Sequence, residues 1–106
     1  MTSTSGEFDE LTATIRDFAA RRKWERFHTP KNLAMAVSGE AGELAAEFQW
    51  LTPEESSANS LTDAQLSAIE MEIADVQIYL LRLADTLGLR IPEAVRKKIA
   101  INEERF

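Results

Sequence analysis

No segment of this chain alternates apolar and polar residues with the two-residue period of a half-buried strand; its apolar residues return every third or fourth position instead. That pattern restricts the fold to packed helices. From Glu7 to Lys23 the recurrence of Phe8, Leu11, Ile15, Phe18 and Ala19 marks a first helix, after a polar run over Met1 to Gly6 that is expected to be disordered. Trp24 to His28 reads as a connection. Thr29 and Pro30 then supply an N-cap and a first helical residue, because Pro lacks only an N–H that the first turn would leave unpaired. This second helix is expected to reach about Trp50. Thr52-Pro53 and the polar stretch Glu54 to Ser60 follow, with little to bury, so a loop or at most one helical turn is expected there. Thr62 and Gln65 form a T-x-x-Q capping box that opens a long amphipathic third helix, continuing through Leu87 to a stop at Gly88. A fourth begins near Pro92 and runs through Ala94, Val95 and Ile99, with Arg96, Lys97 and Lys98 on its other sides. The expectation is one all-α domain over residues 7–106, an antiparallel four-helix bundle.

At 106 residues the chain can build one modest core, and a bundle this small leaves apolar stripes uncovered unless copies associate. No apolar run approaches the roughly 20 residues a membrane span needs, and the N-terminus lacks the basic-then-apolar pattern of a secretion signal, so the cytoplasm is the expected compartment. There is no cysteine, which removes disulfides, thiolate metal sites and thiol nucleophiles. The formal net charge of -6 opposes binding to a nucleic-acid backbone, since such binding uses clustered Lys and Arg. A small polyphosphate remains a possible ligand if a divalent cation supplies the missing positive charge.

The chemistry concentrates in two acidic pairs. Glu40 and Glu43 lie on the second helix, and Glu72 and Asp75 on the third, each pair three residues apart and so on one helix face. Antiparallel packing of these helices would bring four carboxylates together. Left bare they repel one another, whereas a hard divalent ion with oxygen ligands stabilises them and keeps positions open for substrate phosphates. Gly39 and Gly42 weaken the helix by about 1 kcal/mol each relative to Ala, which calls for close helix packing or close approach of a ligand. A carboxylate-bridged di-iron centre is disfavoured because it uses E-x-x-H on two helices and the chain has only His28. Lys98, Asn102 and Arg105 share a stripe of the fourth helix and can offer two charges and an amide to phosphate oxygens, with Lys31 as a further cation. Trp24, Phe27, His28, Trp50 and Tyr79 are candidates for stacking on a base.

The stretches Pro30-Lys31-Asn32-Leu33, Gly39-Glu40-Ala41-Gly42-Glu43-Leu44 and Phe48-Gln49-Trp50 resemble MazG-type pyrophosphohydrolases. Glu72-x-x-Asp75 with Val76 and Tyr79-Leu80, and Lys98-x-x-x-Asn102-x-x-Arg105-Phe106, continue the pattern in order, so the resemblance extends from Phe18 to Phe106. Trp24, Phe27-His28 and Phe48-Gln49-Trp50 are most similar to the small dCTP pyrophosphatase-like branch. The resemblance implies a MazG-type bundle completed by oligomerisation, as a homodimer or homotetramer whose pocket draws on neighbouring subunits. It also implies a Mg²⁺ site, with Mn²⁺ as a substitute, made by Glu40, Glu43, Glu72 and Asp75. Water would attack the α-phosphorus of a nucleoside triphosphate, releasing the monophosphate and pyrophosphate, with dCTP or a modified dCTP as candidate substrate. Glu43 is the expected base. Ile15 departs from the pattern, since some eukaryotic relatives carry a base-contacting histidine there. Glu47 and Glu70 are left out of the metal shell. Two alternatives stand beside this reading: phosphoribosyl-ATP hydrolysis on the same fold, and a non-catalytic helical interaction module.

Overall fold

Local capping rules set where the helices begin. Thr29 Oγ1 accepts the backbone N–H of Asn32, and Pro30 opens helix α2, Pro30–Ala46. Thr62 Oγ1 accepts from Gln65 while the Gln65 side chain accepts from the Thr62 N–H, a reciprocal box that opens α3, Asp63–Thr86. Helix α1, Gly6–Arg21, precedes them, and α4, Ile91–Arg105, follows. A short 3-10 turn, Glu25–Phe27, joins α1 to α2. The computed structural model describes residues 6–106, and among these the regular structure is entirely helical. The N-terminal run expected to be disordered lies outside the described residues except for Gly6, which belongs to α1 rather than to a tail.

Two helix ends differ from the sequence expectation. The first helix stops at Arg21 instead of Lys23, because Lys23 adopts φ 58 and the N–H groups of Lys23 and Trp24 close back on Ala20 and Ala19. This is the left-handed closure usually given to glycine, here at a lysine. Gly88, with φ 68, closes α3 the same way as predicted. The second helix ends at Ala46 and not near Trp50. From Glu47 its N–H groups bond three residues back, to Leu44 and Ala45, so the ladder tightens and breaks. Beyond it, Thr52 and Glu55 exchange the same reciprocal bonds as Thr62 and Gln65, which fixes one turn over the expected loop.

Packing is unequal. Helix α2 lies along α3, α1 packs on α3 as well, and α4 makes no more than marginal contact with any other element. Among the described residues, Ala19, Leu33, Ile69 and Leu81 are the buried apolar ones, one or two from each of α1, α2 and α3 and none from α4. Many large apolar side chains stay exposed, including Leu66, Ile73 and Leu80 on one stripe of α3 and Val95, Ile99 and Ile101 on α4. The radius of gyration, 16.3 Å, exceeds the roughly 13 Å of a compact chain of about 100 residues. Among the described residues no helix is long and apolar enough to cross a membrane.

Candidate functional site

Cross-helix neighbours fix the register of α2 on α3. Glu40 faces Asp75 and Glu72, Glu43 and Glu47 face Glu72, and His28, just before α2, meets Arg82. Position numbers rise on one side as they fall on the other, so the helices run antiparallel and the two acidic pairs meet. Carboxylate oxygens of Glu40, Glu43 and Glu72 lie within 4.8 Å of one another, with Asp75 alongside. Partial loss of hydration, then repulsion from Glu43 and Asp75, pushes the Glu40 carboxyl above its ordinary value. Glu72 is raised by loss of hydration and then by Glu43, Asp75 and Glu47. Three hard oxygen donors that resist sharing their charge form a donor set suited to Mg²⁺ or Mn²⁺. Glu47, which shares the helix stripe of Glu40 and Glu43 and was left out of the metal shell on the family pattern alone, bears on Glu72, whereas Glu70 lies on a different face with Asp63, Leu66 and Ile73. A Cβ added at Gly39 or Gly42 would meet no atom within 4 Å. Helix packing within the chain thus does not account for either glycine, contrary to one of the two reasons expected.

Farther along the same helix pair, Trp24, His28 and Tyr79 line a cavity of about 80 Å³ with Ile15, Phe18, Ala19, Ile78 and Arg82. Trp24 stands edge-on to Phe18 at 5.5 Å and to the His28 ring at 6.2 Å. Three of the five aromatic candidates are thereby brought together. The other two are not: Phe27 is 53% exposed beneath the Arg26 guanidinium, and Trp50 is 86% exposed in the turns after α2. The residue that sequence reasoning missed is Arg82. It is only 7% exposed, donating from Nε to His28 Nδ1 at 3.1 Å and from Nη1 to Asp85 Oδ2 at 3.3 Å. Asp85 is gripped in turn by Arg16 of α1 through two bonds, Nη2 to Oδ1 at 2.7 Å and Nε to Oδ2 at 2.8 Å. The Arg16 hydrogen bond holds the Asp85 carboxyl below its usual range despite partial burial. The signal was present in the sequence, since an arginine between Leu81 and Leu83 is seldom buried without a partner.

Lys98, Asn102 and Arg105 remain on α4, away from the packed pair, with the Arg105 guanidinium over the Phe106 ring at 5.0 Å. Lys31 is exposed in the first turn of α2. Within one chain, therefore, α4 does not pack its cations against the helices that carry the carboxylates.

Comparison with known proteins gives this geometry its relatives. A pyrophosphatase from Archaeoglobus fulgidus, 37% identical, matches all of this chain and 97% of its own with a TM-score of 0.87. The human dCTP pyrophosphatase 1 is 43% identical over 98 residues, which is 92% of this chain and 58% of the relative. The bovine protein of the same name is 36% identical over 104 residues, 98% of this chain and 62% of the relative. The chain thus spans about three-fifths of the length of those two relatives. The model of the MazG-like family matches residues 35–106, a stretch that holds both acidic pairs and the stripe on α4. With that match and the facing E-x-x-E and E-x-x-D helices, the chain belongs to the MazG-like family.

Proposed function

We propose that this protein is a Mg²⁺-dependent nucleoside triphosphate pyrophosphohydrolase of the cytoplasm that converts a deoxynucleotide, with dCTP or a modified dCTP as leading candidate, to its monophosphate and pyrophosphate. The observation that carries the reading is the convergence of Glu40, Glu43 and Glu72 on facing helices, with Asp75 beside them. Its relatives named as a pyrophosphatase and as dCTP pyrophosphatases support the reaction class and the substrate.

Glu40, Glu43, Glu72 and Asp75 would hold the metal. When bound, it polarises the phosphoryl group and offsets charge on the departing pyrophosphate. Glu43 orients the attacking water and takes its proton. Lys98, Asn102 and Arg105, with Lys31, bind phosphate oxygens. The pocket of Trp24, His28 and Tyr79 receives the base, its flat faces giving contact at low entropic cost. Phe27 and Trp50 join that pocket only when their exposed faces are covered. A second copy of the chain is the natural cover: the apolar stripes of α3 and α4 match in character, and association as a homodimer or homotetramer would bring the α4 cations to a carboxylate cluster.

The test is a panel of nucleoside triphosphates with Mg²⁺, scored for monophosphate plus pyrophosphate. Glu43→Gln is expected to lower kcat by roughly 10²- to 10⁴-fold, the usual worth of a positioned base. Equal turnover by wild type and Glu43→Gln on every substrate overturns the reading. An absence of any Mg²⁺ or Mn²⁺ uptake by calorimetry points instead to a helical interaction module.

A further inference from the structure

The four-residue chain Arg16, Asp85, Arg82 and His28 runs from the surface of α1 through α3 into the aromatic cavity, and neither the metal cluster nor the phosphate stripe uses it. A guanidinium carries only donors and keeps its charge at every physiological pH. The His28 nitrogen that faces Arg82 Nε at 3.1 Å must therefore offer a lone pair, which leaves the single ring proton of neutral imidazole on Nε2. An imidazolium in the same place would set N–H against N–H and put two cations in contact.

We propose that Arg82, braced by Asp85 and Arg16, is a positioning residue that fixes His28 as a neutral imidazole with its proton on Nε2. The cavity then presents a hydrogen-bond donor to an acceptor atom, a carbonyl oxygen or unprotonated ring nitrogen, on the edge of the nucleobase. The inference rests on the nucleotide reading above for its ligand but not for the state of His28. Each link has a physical reason. Arg82 is nearly buried and needs a counter-charge, which Asp85 supplies. Asp85 would meet Arg82 loosely on its own account, and the bidentate grip of Arg16 from α1 holds its carboxylate in place. The groups facing His28 are Arg82 and Tyr79 from α3 and Trp24 ahead of the 3-10 turn, with Asp85 and Arg16 behind Arg82; Ile15, Phe18 and Ile78 complete the wall. Burial, and then the Arg82 charge, both lower the His28 pKa from its ordinary value of 6.5, in keeping with a ring held neutral. Among apolar neighbours a fixed donor selects strongly, because a substrate that puts its own donor there leaves two polar groups unpaired.

His28 is the single histidine of the chain, so its ring nitrogens give the only imidazole signals in a ¹⁵N-labelled sample. The expected wild-type spectrum shows a protonated Nε2 and a bare Nδ1 at neutral pH, persisting below pH 6.5. A mixture of tautomers, a proton on Nδ1, or an imidazolium at neutral pH overturns the proposal without touching the carboxylate site. Arg82→Met should release the ring to a mixture of tautomers and raise KM for the preferred nucleotide by roughly ten- to hundredfold, the worth of one buried hydrogen bond, with kcat moving far less. Asp85→Asn, the milder change, should move both readouts the same way, and unaltered metal uptake by calorimetry in either variant excludes simple unfolding. Because Arg82 acts through His28, Arg82→Met added to His28→Phe should cost nothing further. Additive losses overturn the base-reading role. Should wild type hydrolyse no nucleotide at all, the nucleotide reading falls, and the base-reading role with it, while the spectrum still decides the protonation of His28.

Discussion

Helices α3 and α4 are separated by four residues and fare differently. With α2, α3 makes a packed pair that buries Leu33 and Ile69 and sets three carboxylates within 4.8 Å. Helix α4 buries nothing and leaves Val95, Ile99 and Ile101 to solvent in a single chain. Both were predicted as helices by the same periodicity, so the difference lies in what each has to pack against. Burying a Leu side chain is worth about 1.5–3 kcal/mol, and α2 with α3 collect that within one chain. Three of the candidate acidic residues thus meet within one chain, while the candidate phosphate-binding residues sit on a helix whose apolar stripe is uncovered there.

Leu33, which is 1% exposed, is the residue whose loss the packed pair should feel most. Leu33→Ala should destabilise the fold by about 2–5 kcal/mol, read as a lower midpoint in urea, because a cavity opens where neighbours cannot collapse. Ile99→Asp should do almost nothing to the fold of one chain, within about 0.5 kcal/mol, since it replaces an exposed residue. In sedimentation it should dissociate any assembly, and the proposed triphosphate hydrolysis should be lost with it. If Ile99→Asp lowers the unfolding midpoint of dilute monomer as much as Leu33→Ala does, the contrast between the two regions is wrong.

What could be read from the sequence follows the same division. Caps are local, so Thr29, Thr62, Gln65 and Gly88 announce themselves in a few residues of sequence. The second capping pair, Thr52 and Glu55, was equally local and is hidden only by the polar run that follows it. The meeting of Glu40 and Glu43 with Glu72 follows from helix periodicity plus antiparallel packing, and both assumptions hold. The Arg16 and Asp85 pair joins residues 69 positions apart, and no spacing rule reaches that far. Lys23 in the left-handed region has no sequence signal, because glycine is the residue that marks such a closure. The detachment of α4 was not legible either: an amphipathic stripe says that something covers it, not whether the cover comes from the same chain.

Acidity offers a finer test, because the two ends of the α2 and α3 pair respond to pH with opposite sign. Glu40 and Glu72 have folded pKa values above 4.5, so just above that pH the folded state holds more protons than the unfolded one. Their contribution to stability falls as pH rises through the raised values. His28 is depressed below 6.5, so its contribution is fully present above 6.5 and is lost as pH falls toward the lowered value. In metal-free protein the melting temperature should show these opposing slopes. Saturating Mg²⁺ should remove the loss on the alkaline side, with protons released on binding near pH 5, because it favours ionised carboxylates. His28→Phe should flatten only the slope that tends toward 6.5. A melting profile indifferent to Mg²⁺ at every pH would falsify the assignment of the carboxylates to a metal.

Gly42 gives a small effect at a sharply defined location. Its added Cβ meets nothing within 4 Å, and its φ is not among the positive ones, so Gly42→Ala is free of strain in a single chain. Alanine loses less conformational freedom on folding, and the substitution should stabilise α2 by roughly 0.5–1 kcal/mol. Measured on dilute monomer, that gain tests the open space directly. Measured again on the assembled protein with substrate, the same methyl group probes the face beside Glu40 and Glu43. A gain in both settings means that neither a second copy nor a phosphate approaches there, and helix propensity alone bears on the glycine. A gain in the monomer with a loss of assembly or a raised KM means that the close approach these glycines permit comes from outside the chain, as the unpacked state of α4 leads one to expect.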